Sequence, residues 1–298
     1  VEGNNKATKS FLATYGQLIE VASSSSSDRA LMARMLEIPS EQAIAHSLGG
    51  LIDTDLVHKA REQMINQILD GYEEALMRLY EDNLFTESYS QNVTAAGVRA
   101  LKGVLLQILA RRPNKTNIEI IWDVYDKAKN MTDRMNAFKA IISVEHTVRD
   151  QIIADFHAKF QQYPLVIDKW FAVQATANRA DLKLRLGNLR RQKEFNMQNP
   201  NRVRSLYASF AMHNPLHFHD KGGWGYKFVA DAVCELNTIN PQIAARLLMP
   251  FREWRRYTKD RQDLMKKELE RIASLENLSP NVYEIVHKTL NASSKEAS

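Results

Sequence analysis

Apolar residues in this chain recur at spacings of three and four almost throughout, the period of a helix with one buried face. Between Asp55 and Tyr80 they are Leu56, Met64, Ile65, Ile68, Leu69, Tyr72, Leu76 and Leu79. Val98, Leu101, Leu105, Ile108 and Leu109 mark a second helix, closed by Arg111-Arg112-Pro113 because proline cannot continue it. Ile118, Ile121, Trp122 and Tyr125 mark a third, and Met131-Thr132-Asp133 opens a fourth containing Met135, Phe138, Ile141 and Ile142. The same reading predicts helices near 145–160, 164–176, 179–190, 200–212, 225–238, 241–256, 259–273 and 280–290. No run alternates with period two. About a dozen short helices without strands predict an all-α fold, a superhelical, α-solenoid-like array of antiparallel helix pairs. No strict repeat of fixed length is visible. The whole of 1–298 reads as a single α-helical domain, with Ser23 to Ser27 a low-complexity mobile loop and 292–298 a disordered tail.

Three helix openings in the last third are built alike: Asn199-Pro200-Asn201-Arg202-Val203-Arg204, Asn240-Pro241-Gln242 leading to Arg246, and Leu278-Ser279-Pro280. Each puts a capping side chain before a proline at the first helical position, where a missing N–H costs nothing. Two carry an arginine about one turn in, a fixed charge with five donors near a helix start. Such an arginine suits a surface that meets a carboxylate or phosphate. The competing reading has it paired with carboxylates on neighbouring helices.

Composition changes this picture little. The 298 residues are 44% hydrophobic and 25% charged, the balance of a soluble globular protein large enough for a sizeable core. No stretch approaches about 20 apolar residues, which predicts no membrane span. The N-terminus lacks a signal peptide's apolar core and begins without methionine, the mark of a fragment or processed chain. The lone Cys234 excludes an intramolecular disulfide and reads as small core filler in a reducing, cytoplasmic setting. Charge matters more. Arg179 to Arg271 carries 19 Lys and Arg against 10 Asp and Glu, so the net +5 of the chain is concentrated there. That excess would attract anionic partners, nucleic acid included.

Candidate chemistry is sparse. No histidine is followed by glutamate, so the helical zinc motif H-E-x-x-H is absent. His213, His217 and His219 cluster, but Asn214-Pro215 breaks their helical face and no carboxylate or thiolate joins them, so a polar turn is the better reading. Gly222-Gly223-Trp224-Gly225-Tyr226 opens a helix without a preceding strand or a following Lys-Ser/Thr. It reads as a tight turn, with Trp224 and Tyr226 packing or lining a cavity. Asp168-Lys169-Trp170-Phe171 predicts core aromatics. Arg252, Arg255, Arg256, Lys259, Arg261, Lys266 and Lys267, interleaved with acids, predict a solvated helix face. No aromatic-interleaved stacking motif supports nucleic-acid binding.

Several ordered segments carry a family likeness. Asn199-Pro200-Asn201-Arg202-x-Arg204-Ser205-Leu206 resembles the C-terminal domain of the bacterial aminopeptidases N, gluzincin zinc metallopeptidases. So do Asn130-Met131-Thr132-Asp133, Asp168-Lys169-Trp170-Phe171-x-x-Gln174-Ala175-Thr176, Phe218-His219 and Gly225-Tyr226-x-Phe228. Asn240-Pro241-Gln242-x-Ala244-x-Arg246-Leu247, Arg256-Tyr257-x-x-x-Arg261-Gln262 and Leu275-Glu276-Asn277-Leu278-Ser279-x-x-x-Tyr283-Glu284 continue it. The likeness is clear from about Asn130 to Leu290. Gly222 and Trp224 depart from the pattern, and the region around Ser23 to Asp28 is shorter than in the family, which suggests a missing helix.

The resemblance implies a cone-shaped superhelical domain that closes over a thermolysin-like catalytic domain of the same polypeptide. It would restrict access to small or unfolded peptides. Arg204, Gln242 and Arg246 match positions that face the enclosed substrate cavity. The parent would be a cytoplasmic enzyme removing N-terminal residues from peptides with a zinc held elsewhere, by H-E-x-x-H and a distant glutamate, beside a G-x-M-E-N loop. The chain alone, with neither motif, would bind no catalytic zinc and hydrolyse nothing. Cut from its parent, it would expose apolar surface that favours self-association. The competing reading is a stand-alone basic α-solenoid that binds nucleic acid or a protein partner.

Overall fold

The structure is a computed structural model that describes residues 7–84 and 89–291. The expected tail at 292–298 and the opening residues 1–6 lie outside that range. Among the described residues the protein is all-α, with one isolated bridge between Ile52 and Tyr257 and no strand. Two compact units are evident, one from residues 1–40 and 58–156, the other from 41–57 and 157–298.

In the first unit, Arg29–Leu36 packs on Val93–Leu109, which also packs on Met131–Ile141, itself paired with Lys115–Asp126. Of these, Val93–Leu109, Lys115–Asp126 and Met131–Ile141 are the helices that the spacing predicts. Their shared core holds Leu101, Leu105, Ile121, Phe138 and Phe156, all out of solvent, with the Phe138 and Phe156 rings 5.1 Å apart. Gly97 lets two backbones approach closely, since a Cβ there would stand 2.9 Å from Ala30 N. Three helices before residue 54 lack a clear periodic signature: Lys9–Ser23, Arg29–Leu36 and Glu41–Ser47. The serine run between the first two forms a hydrogen-bonded turn. Ser27 Oγ donates to Ala22 O at 3.2 Å, and Asp28 caps the next helix through Ala30 N at 2.9 Å.

The second unit contains the three proline openings. Trp224–Ile239 packs on Pro241–Leu247 and Lys259–Ala273, and Pro280–Asn291 packs against the last two. Pro164–Ala175 packs against the segment that begins at Arg204. An aromatic chain fills the centre: Phe171, Phe195, Tyr207, Phe228, Phe210, Phe218, Tyr226 and Phe251 follow one another with ring centroids 4.7–6.1 Å apart. Two long predicted helices are interrupted. The stretch 200–212 is Pro200–Val203, a π-helical turn Arg204–Ala208, then Ser209–His213. The stretch 241–256 is Pro241–Leu247 followed by two short 3₁₀ turns, Met249–Phe251 and Trp254–Arg256, because Pro250 interrupts the ladder.

Candidate functional site

The proline openings form as the capping chemistry requires. Asn199 Oδ1 accepts from Asn201 N and Arg202 N at 3.0 and 3.3 Å, Asn240 Oδ1 from Ile243 N at 3.1 Å, and Ser279 Oγ from Val282 N at 3.4 Å. With those N–H groups held, each helix starts at a fixed point.

Arg202 and Arg204, two residues apart, then part company. Arg202 is 3% exposed, and its Nε donates to Asp168 Oδ1 at 2.7 Å and its Nη1 to Glu194 O at 2.8 Å. Its guanidinium lies 4.8 Å above the Phe171 ring. It anchors the opening. Arg204 is exposed and begins the π-helical turn, and its Nη1 donates to Asn201 Oδ1 at 3.0 Å. π-turns recur at functional sites because the extra residue re-aims the side chains around it. Gln242 and Arg246 are exposed one turn apart on Pro241–Leu247, on the same face. Among the described residues neither Arg204 nor Arg246 has a carboxylate partner, so the structural pairing weighed against a binding role does not form. Among the described residues no hydrogen bond joins Arg204 to the Gln242–Arg246 pair, and what the three share is exposure.

Many basic side chains of the stretch pair with its own acids, which leaves the excess of basic over acidic residues in place. Arg190 pairs with Glu235, Lys227 with Asp231 at 2.8 Å, Arg256 with Glu253 at 3.0 Å, and Arg271 with Asp231 and Glu268 at 2.8 and 2.6 Å. Lys259–Asp263 and Lys266–Glu270 are the solvated one-turn pairs that the charge pattern predicts. Two arginines of that stretch correct the expectation. Arg255 donates to Thr289 O and Leu290 O at 3.0 and 2.6 Å, closing a helix C-terminus. Arg261 is 1% exposed. It donates to His219 O at 2.8 Å, Thr258 Oγ1 at 3.2 Å and Asp55 Oδ2 at 3.0 Å, and lies 3.6 Å from Asp53. Its partners come from residues 53–55 and 219, too distant in sequence for local patterning to reveal.

The histidine cluster resolves into three separate environments. His213 is exposed, and His217 Nε2 meets Asn178 Oδ1 at 3.2 Å. His219 is 4% exposed, its Nδ1 2.9 Å from Tyr226 Oη and its ring stacked on Tyr257 at 4.0 Å. Burial, helped by the Arg261 charge, pushes its pKa down to about 3. Among the described residues no group of three or more His, Cys, Asp or Glu side chains stands close enough to hold a metal ion. Gly223 takes a left-handed φ of 70° before the helix Trp224–Ile239, while Trp224 stacks on Phe210 at 5.3 Å and Tyr226 is fully buried. The turn reading holds, with both aromatics packing. The Cys234 thiol is half-buried, 3.8 Å from Arg271 Nη1, and burial raises its pKa. Among the described residues no helix is long and apolar enough to cross a membrane.

The family model described as "Domain of unknown function (DUF3458_C) ARM repeats" matches residues 1–291. The chain belongs to the DUF3458_C family. This ARM-repeat domain is 35% identical to the aminopeptidase N of Caulobacter vibrioides over 261 residues, and 36% identical to that of Haemophilus influenzae over 263. Both matches cover 88% of the chain and 30% of the relative, so the DUF3458_C domain spans about a third of the relatives it matches. The matched part is the C-terminal region of these aminopeptidases. Among solved structures it resembles the Legionella pneumophila aminopeptidase A in complex with aspartic acid, with a TM-score of 0.87 and 26% identity over 97% of this chain and 34% of that one. The all-α array of helix pairs and the aminopeptidase likeness drawn from the motifs both hold.

Proposed function

We propose that residues 1–298 are the helical C-terminal domain of a zinc-dependent aminopeptidase, closing over a catalytic domain of the same polypeptide and lining the cavity through which peptides reach it. The observation that carries this reading is the match of nearly the whole chain to the C-terminal region of aminopeptidases N. The geometry supports it. Arg204 and Arg246 are exposed cations that have no carboxylate partner among the described residues, and such arginines can receive a peptide's carbonyls or C-terminal carboxylate. Gln242, one turn from Arg246, adds a neutral donor and acceptor. These residues would position substrate and make no bonds. Zinc would activate the attacking water in the catalytic domain, so this chain alone is expected to be inactive.

The test is kinetic and uses the complete enzyme. Arg204→Ala with Arg246→Ala should raise KM for a tetrapeptide about tenfold or more and leave hydrolysis of a single-residue anilide unchanged. Equal effects on both substrates, or none on either, would remove the two arginines from the substrate path. The nucleic-acid reading rests on the basic excess of Arg179 to Arg271, and no aromatic-interleaved stacking motif accompanies it. It predicts binding with a steep salt dependence, which a mobility shift at low salt would detect.

A further inference from the structure

The first unit contains a cavity of about 770 Å³, within the range of small-molecule sites. None of Arg204, Gln242 and Arg246 lines it, and all three belong to the second unit. Its lining is mostly polar and carries four cations, Arg99, Lys102, Lys127 and Lys129, against two carboxylates, Asp123 and Asp133. Both carboxylates are already engaged. Lys127 Nζ lies 2.6 Å from Asp123 Oδ2, and Asp133 Oδ2 accepts from Asn130 Nδ2 at 2.8 Å.

Arg99 and Lys102 are not matched in this way. They stand one turn apart on Val93–Leu109, both are partly buried, and among the described residues neither has a carboxylate partner. Like charges so placed repel. Arg99 is also held in position. Its Nη1 donates to Ser90 O at 2.8 Å and its guanidinium lies 5.0 Å over the Tyr89 ring, which leaves Nε and Nη2 to an anion. An anion between the two cations would relieve their repulsion and accept charge-assisted hydrogen bonds from both. The size of the excess selects the anion. A single carboxylate would neutralise half of it, whereas a phosphate monoester carries about two negative charges at pH 7, on three acceptor oxygens. Leu84, Tyr89 and Val124 give the organic part of such a molecule apolar surface to cover.

We propose that this cavity binds a small phosphate monoester, its dianionic group held between Arg99 and Lys102 and its organic body against Leu84, Tyr89 and Val124. The 298-residue chain tests this by NMR titration with phenyl phosphate, benzoate and inorganic phosphate. Phenyl phosphate should shift the Arg99 Nε–H and Val124 methyl signals saturably. Benzoate, with one charge on the same ring, and inorganic phosphate, with no ring, should each bind about tenfold more weakly. Lys102→Met should weaken phenyl phosphate about tenfold. Lys139→Met removes an exposed lysine outside the lining and should change its affinity less than about twofold. Equal affinity for phenyl phosphate and benzoate on the unaltered chain would overturn the proposal without relying on any variant. So would equal affinity for inorganic phosphate, the mark of an adventitious ion only, or shifts confined to residues outside the cavity. An equal loss in Lys102→Met and Lys139→Met would also overturn it, because diffuse surface charge would then account for the binding.

Discussion

His219 should make the stability of the second unit sensitive to mild acid. The imidazole is 4% exposed, its Nδ1 lies 2.9 Å from Tyr226 Oη, and its ring is stacked on Tyr257. Burial, with the Arg261 charge behind it, lowers its pKa to about 3 against the ordinary 6.5. The unfolded chain therefore binds a proton that the folded one refuses. The stabilisation is fully present above the unfolded value, and it is lost progressively as pH falls from about 6.5 toward about 3. Between about pH 7 and about pH 5 linkage gives a loss of about 2 kcal/mol from this one group, at about 1.4 kcal/mol per unit of pH once below the unfolded pKa. Urea unfolding followed by Trp224 and Trp254 fluorescence measures it, and His219→Gln provides the reference, since glutamine accepts from Tyr226 without titrating. The unaltered protein should lose about 2 kcal/mol more than the variant over that interval. Because slopes are compared, a uniform destabilisation of the variant does not matter. Parallel pH dependences, or a His219 ring signal titrating near the ordinary histidine value, would refute the reasoning.

Arg202 and Arg204 should behave oppositely. Arg202→Met strands the largely buried Asp168 carboxylate and should cost about 3–5 kcal/mol in urea unfolding, whereas Arg204→Met on the exposed face should stay within about 0.5 kcal/mol. Asn240→Ala removes the cap on Ile243 N and should cost about 1 kcal/mol by the same measurement. Gly225→Ala would place a Cβ 2.5 Å from Phe218 O and 2.7 Å from His217 O, both backbone atoms, so destabilisation of about 1–3 kcal/mol is expected in thermal melts.

What the sequence disclosed follows the range of the interactions involved. The proline openings were legible because a cap and its N–H groups lie within three residues. The helices after residue 54 were legible because one buried face repeats every turn, and the three before it lack that repeat. Arg202 and Arg204 looked alike because what separates them is Asp168 and Glu194, brought in from other elements. Arg261 looked like one more charge on a solvated face, and only contact with residues 53–55 and the His219 carbonyl buries it. His219 sits in what reads as a polar turn, yet Tyr226 and Tyr257 enclose it. The π-turn at Arg204 left no local signal at all, since no proline or glycine marks it. The likeness to aminopeptidases N rested on short ordered motifs, several of which are the caps and buried anchors described above.

The central claim is that this helical domain serves a catalytic domain on the same polypeptide. Sequencing the coding DNA upstream of Val1 tests it most directly. A continuous reading frame encoding G-x-M-E-N and then H-E-x-x-H is expected before the helical domain begins. An in-frame stop close upstream would contradict it and leave the helical chain to act alone.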